Sequence, residues 1–112
     1  MNIFKEIKYF IQRGRRGYSD SDTWDFDDYL ADVISKGLKV LKDNLHSYPV
    51  EFETIEQWQE ILDSIIDGFE AYQQTGDIDC PVEDYIKEHN KLMVKFNTGM
   101  KLFTKYFNHL WD

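Results

Sequence analysis

One cysteine, Cys80, stands among 112 residues, so no disulfide closes within the chain and a small bridge-stapled scaffold is excluded. No run of about eighteen apolar residues occurs, so no segment reads as a membrane-spanning helix. Lys5, Glu6 and Lys8 interrupt the apolar residues near the N-terminus, which argues against a signal peptide. Strand-like alternation and Asn-Gly hairpin signals are missing. So are a Walker-type phosphate loop, a dinucleotide fingerprint and the glycine-flanked serine of a nucleophile elbow. Glu-x-x-His, the spacing that builds carboxylate–histidine metal sites in helical bundles, does not occur, although His46, His89 and His109 are present. These absences lead to an expectation of no catalytic residue, no metal and no cofactor.

What is present suffices for a core. Hydrophobic residues make up 42% and aromatic residues 16%, ample apolar surface to offset the entropy of ordering. The length suits one domain over residues 1–112. A soluble, acidic, cytoplasmic protein is expected.

Charge is unevenly spread. Thirteen Lys+Arg face 21 Asp+Glu, a formal net charge of −8. A field of that sign repels nucleic acid and anionic lipid, so direct binding to either is not expected. All three arginines fall within four positions, Arg13, Arg15 and Arg16, bracketed by Gly14 and Gly17 and followed by Tyr18. Acids then crowd in at Asp20, Asp22, Asp25, Asp27 and Asp28.

Periodicity predicts an all-α bundle of four helices, or five if the last one breaks, with no sheet. Residues 2–12 place Ile3, Phe4, Ile7, Phe10 and Ile11 on one face behind Asn2 as N-cap, a face that suits core packing. The Gly14–Gly17 stretch is expected to end that helix. A second helix starts between Asp20 and Thr23 and runs to about Leu45, with Gly37 beside its stripe calling for a close helix crossing. Thr54 and Gln57 match a capping box ahead of Ile55, Trp58, Ile61, Leu62, Ile65, Ile66, Phe69 and Tyr72. Pro81 suits the first turn of the last helix, and Gly99 after Asn97 and Thr98 marks a break or kink.

The chemistry-bearing candidates are few. Guanidinium groups clamp phosphates bidentately, glycines admit backbone amides, and aromatic rings stack on bases. Arg13, Arg15, Arg16, Tyr18 and Trp24 therefore form a candidate nucleotide site, with His46 and Tyr48 of the following connector added to it. The competing reading pairs the arginines with the neighbouring aspartates. Tyr18, Trp24, Tyr48 and Trp111 fall at ends or connectors and suit a groove or an oligomer contact better than a core. Glu53, Glu56, Glu60 and Asp63 carry spacings seen in magnesium-binding helical pyrophosphohydrolases, but they look like a solvated helix face.

The stretch Arg13-Gly-Arg-Arg-Gly-Tyr-Ser-Asp, with Trp24-Asp-Phe-Asp and Tyr29-Leu-Ala, resembles small uncharacterised proteins encoded by tailed bacteriophages and prophages. The His46-x-Tyr-Pro49 connector, Glu56-x-Trp58 and the closing Phe107-x-x-Leu-Trp-Asp112 look like the same family. The resemblance implies a cytoplasmic role in an infected bacterium and a non-enzymatic counter-defence protein. Three readings follow in order. The first is a sponge that sequesters a small nucleotide signal, expected as a homo-oligomer. The second is an acidic inhibitor that binds a basic host protein. The third is a small nucleotide pyrophosphohydrolase.

Overall fold

The computed structural model describes residues 2–111. Among them are four α-helices and no strand: α1 (Ile3–Arg16), α2 (Phe26–Asp43), α3 (Ile55–Gln74) and α4 (Val82–Tyr106). Short 3-10 turns occupy Asp20–Thr23, Thr75–Asp77 and Phe107–His109. The all-α expectation holds, and α4 runs through Gly99 without a break, so the fifth helix does not form. Asp112, part of the closing motif, lies outside the described residues. None of the described helices is long and apolar enough to cross a membrane. The chain divides into two compact units, residues 1–30 and 31–112.

The first unit is built from local contacts. Asn2 caps α1, its side chain accepting from the amides of Phe4 and Lys5. α1 ends later than its glycines suggested. It passes through Gly14 and stops at Gly17, which alone takes a positive φ, 86°, and donates its N–H to the carbonyl of Arg13. The three arginines are thus the last turn of a helix, where cations complement the dipole. No residue of α1 is buried, and Phe4 and Phe10 are about four-fifths exposed. The expected core role of this stripe is therefore not what the structure shows. Amphipathic spacing says that a face needs cover, not what covers it. After Gly17, buried Ser19 caps the first 3-10 turn in a reciprocal box with Asp22.

The second unit holds the core: Ala31, Leu38, Trp58, Leu62, Ile65, Ile66, Phe69 and Tyr106. The Thr54–Gln57 box forms at the start of α3 as the spacing predicted. α3 supplies most of the buried side chains because its apolar residues recur on both sides of one stripe. α4 lies antiparallel to it, Trp58 contacting Tyr106 and Phe69 contacting Phe96 and Phe103 at ring separations of 5.3–5.6 Å. The two backbones touch at Gly68 and Gly99, where a Cβ built on Gly68 would lie 2.8 Å from the Gly99 Cα. Gly99 is a contact point rather than a break. Gly37, by contrast, meets nothing within 4 Å, so it marks no crossing. Along α2, Gln73 reaches Asp32, Lys39 pairs with Glu70, and Lys42 with Asp63. No buried side-chain nitrogen or oxygen among the described residues lacks a partner.

Candidate functional site

The arginine segment folds back on its own aspartates. Arg13 grips Asp22 with both ends of its guanidinium, Nε to Oδ2 at 2.9 Å and Nη2 to Oδ1 at 2.6 Å. Asp22 also accepts from the Ser19 amide at 2.8 Å. Arg16 pairs with Asp20, donates to the Tyr18 carbonyl at 2.9 Å, and lays its guanidinium 4.5 Å from the Tyr18 ring centroid. Gln12 and Asp20 exchange two hydrogen bonds, at 2.9 and 2.7 Å, and Lys8 stands 3.6 Å from the same carboxylate. The Tyr29 hydroxyl closes the segment onto the Gly17 carbonyl.

These partners hold the two carboxylates charged. The Gln12 hydrogen bond, with Arg16 behind it, lowers Asp20 from 3.8 to about 2. The Arg13 fork holds Asp22 well below the usual carboxylate range and pushes the arginine up. A group whose folded pKa is depressed stabilises the fold above its ordinary pKa and loses that contribution as pH falls through the folded value. The turn should therefore loosen on acidification, Asp20 releasing its partners between pH about 4 and about 2. Carboxylate titration by NMR checks this. Gln12→Ala and Arg16→Ala should each move the Asp20 midpoint up toward 3.8, and an unmoved midpoint would contradict the network.

Two of the three predicted phosphate-binding arginines are thus engaged in ion pairs. Arg15 makes no ion pair among the described residues and, with Arg16 and Lys8, borders a shallow apolar groove along α1 formed by Phe4, Ile7 and Ile11. Trp24 packs edge-on against Tyr9 at 5.8 Å, and Tyr18 against Phe26 at 6.3 Å. His46 and Tyr48 belong to the second unit, both exposed in the connector that follows α2.

The acids of the pyrophosphohydrolase reading do not converge. Glu53, Glu56 and Glu60 are exposed, and Asp63 is tied to Lys42 at 2.7 Å. Among the described residues, the acids that approach one another closely enough to share an ion are Asp25, Asp27 and Asp28, all exposed at the start of α2. That position suits the helix dipole without any metal.

The second unit has two further concave regions. The first is an open groove of about 670 Å³ where α3 turns into α4. Asp77, Asp79, Asp84 and Glu88 line it, with Lys87 as its one cation and Cys80 on its wall. None of the four carboxylates forms an ion pair within the described residues. Burial, and then the fields of Asp84, Glu88 and Asp79, push the Cys80 thiol up. A thiol held protonated is a poor nucleophile, and the same fields show how negative the groove is. The acids on both sides of the Cys80-Pro81 turn, with Asp84 and Glu88 one helical turn apart, were the available signal.

The second region, about 330 Å³, lies at the opposite end of the α3–α4 pair. Tyr48, Pro49 and Val50 of the connector, Trp58 of α3, and His109 and Trp111 beyond α4 line it. Tyr48 and Trp111 are two of the connector and end aromatics that the sequence marked for a groove. No family model, curated protein or solved structure matches this chain.

Proposed function

We propose that this chain is a non-enzymatic binding protein that presents an acidic surface to a basic partner protein and blocks it. The observation that carries this reading is the open groove at the α3–α4 turn, lined by four carboxylates that form no ion pair among the described residues and by one lysine. Complementary potentials steer association and select against wrong partners. The internal pairing of Arg13 and Arg16 supports it from the other side. A nucleotide phosphate would have to displace Asp22 and Asp20, and the surrounding charge of −8 repels it. The protein-binding reading needs no homo-oligomer, which the nucleotide reading invoked to deepen a shallow site. The phage resemblance would place the partner in the cytoplasm of a host bacterium.

The test is calorimetric titration with an octa-arginine peptide at several salt concentrations. The triple variant Asp79→Asn/Asp84→Asn/Glu88→Gln should bind at least about tenfold more weakly than wild type, a loss of ~1.4 kcal/mol. Asp25→Asn/Asp27→Asn/Asp28→Asn removes the same charge elsewhere and should change little. Equal losses in the two variants would mean that net charge alone attracts the peptide, and the groove would lose its role. A nucleotide panel titrated alongside should give no heat. Tight binding of one nucleotide, abolished by Arg15→Ala, would restore the sponge reading.

A further inference from the structure

We propose that the pocket between Tyr48, Trp58 and Trp111 receives the guanidinium group of an arginine side chain on a partner protein. The inference deepens the reading of that partner as basic, but it stands on a site at the other end of the α3–α4 pair. Three aromatic side chains from three separate segments meet around about 330 Å³, the lower end of the range for small-group sites. The polar atoms of Tyr48 and Trp111 are already satisfied within their own segments. The Tyr48 hydroxyl donates to the Glu53 carbonyl at 3.1 Å, and the Trp111 indole N–H to the Asn108 carbonyl at 3.0 Å. Both rings are thereby held in place while much of their surface stays open, Trp111 being 68% exposed. Trp58 is 1% exposed and forms the floor, fixed from behind by Phe52 and Tyr106 at 5.7 and 5.4 Å.

The chemistry of the walls selects the occupant. Among the described residues no Asp, Glu, Lys or Arg lines the pocket, so a compact, strongly hydrated ammonium finds no carboxylate among them to replace its water. An anion is disfavoured by the acidic surroundings, which include Glu51 and Glu53 on the same connector. A guanidinium is planar, weakly hydrated and always charged, and it stacks on aromatic faces whose quadrupole attracts it. Ser47 lines the same pocket and carries a hydroxyl that can accept from a guanidinium.

Two short blocked tripeptides test this, glycine–arginine–glycine and its citrulline counterpart, which has the same shape without the charge. The readout is the set of three indole N–H signals in a nitrogen-15 NMR spectrum. The arginine peptide should shift Trp58 and Trp111 and leave Trp24 in place. The citrulline peptide should bind at least about fivefold more weakly. Trp111→Leu keeps apolar bulk at an exposed position and should lose the arginine response. Equal shifts with both peptides would make the pocket a merely apolar slot and overturn the proposal. So would an absent response, a Trp24 shift of the same size, or an unchanged response in Trp111→Leu. The acidic-groove experiment is independent of these outcomes, because its variants leave the aromatic pocket intact, and either result can fail alone.

Discussion

Gly68→Ala should lower the stability of the helical core by about 2 kcal/mol, whereas Gly37→Ala should raise it by as much as about 1 kcal/mol. Both changes add one methyl to the middle of a helix, and both gain the helix propensity that glycine lacks. They differ in what the methyl meets. At Gly68 it would lie 2.8 Å from the Gly99 Cα and 3.0 Å from the Lys95 carbonyl oxygen, both backbone atoms that cannot rotate away. Overpacking of this kind costs about 3 kcal/mol at the upper end of its usual range, against a propensity gain of about 1. At Gly37 nothing stands within 4 Å, so the propensity gain is uncontested. Urea unfolding midpoints at unchanged slope measure both effects. Two variants that both rise would show that α3 and α4 are not in close contact at Gly68.

Trp58→Ala should cost about 3–5 kcal/mol, a large share of the ~5–15 kcal/mol that holds a domain of this size folded. Trp58 is 1% exposed, and its ring sits between Phe52 and Tyr106. Removing it deletes the largest fully buried side chain and leaves a void bounded by rings that cannot all collapse inward. Trp58→Phe keeps part of the volume and should cost clearly less. Thermal melts followed by near-ultraviolet dichroism report both variants. A Trp58→Ala protein within about 1 kcal/mol of wild type would place this side chain outside the cooperative core.

The helices were legible where one short stretch of sequence contains the whole cause. Asn2 and the Thr54–Gln57 box cap their helices with atoms at most three residues away, and the stripe from Ile55 to Tyr72 needs no partner to be recognised. Gly99 was misread for the opposite reason. Its poor helix propensity is a local property, but its use depends on Gly68, a helix away. The arginine segment was half legible. Its charge contrast is plain in the sequence, yet whether Arg13 meets a ligand or Asp22 depends on the reversal that Gly17 makes. Tyr48 and Trp111 stood out as aromatics off the helical stripes. Their meeting with Trp58 depends on antiparallel packing of α3 and α4, which periodicity does not specify.

The ion pairs and hydrogen bonds of the first unit have a consequence for the order of events as the chain is made. Gln12 reaches Asp20 across 8 residues, Arg13 reaches Asp22 across 9, and Tyr29 reaches Gly17 across 12. Loops of that length close in about 10–100 ns, whereas a ribosome adds only about 5–20 residues per second. The turn therefore has ample time to form, and Arg13 and Arg16 to be neutralised, before residues 31–112 are synthesised. The contact between Gly68 and Gly99 must wait until Gly99 has emerged, 31 residues after Gly68. During that interval the nascent protein shows its surroundings the paired charges of Arg13 and Arg16 and, behind them, the uncovered apolar stripe of α3.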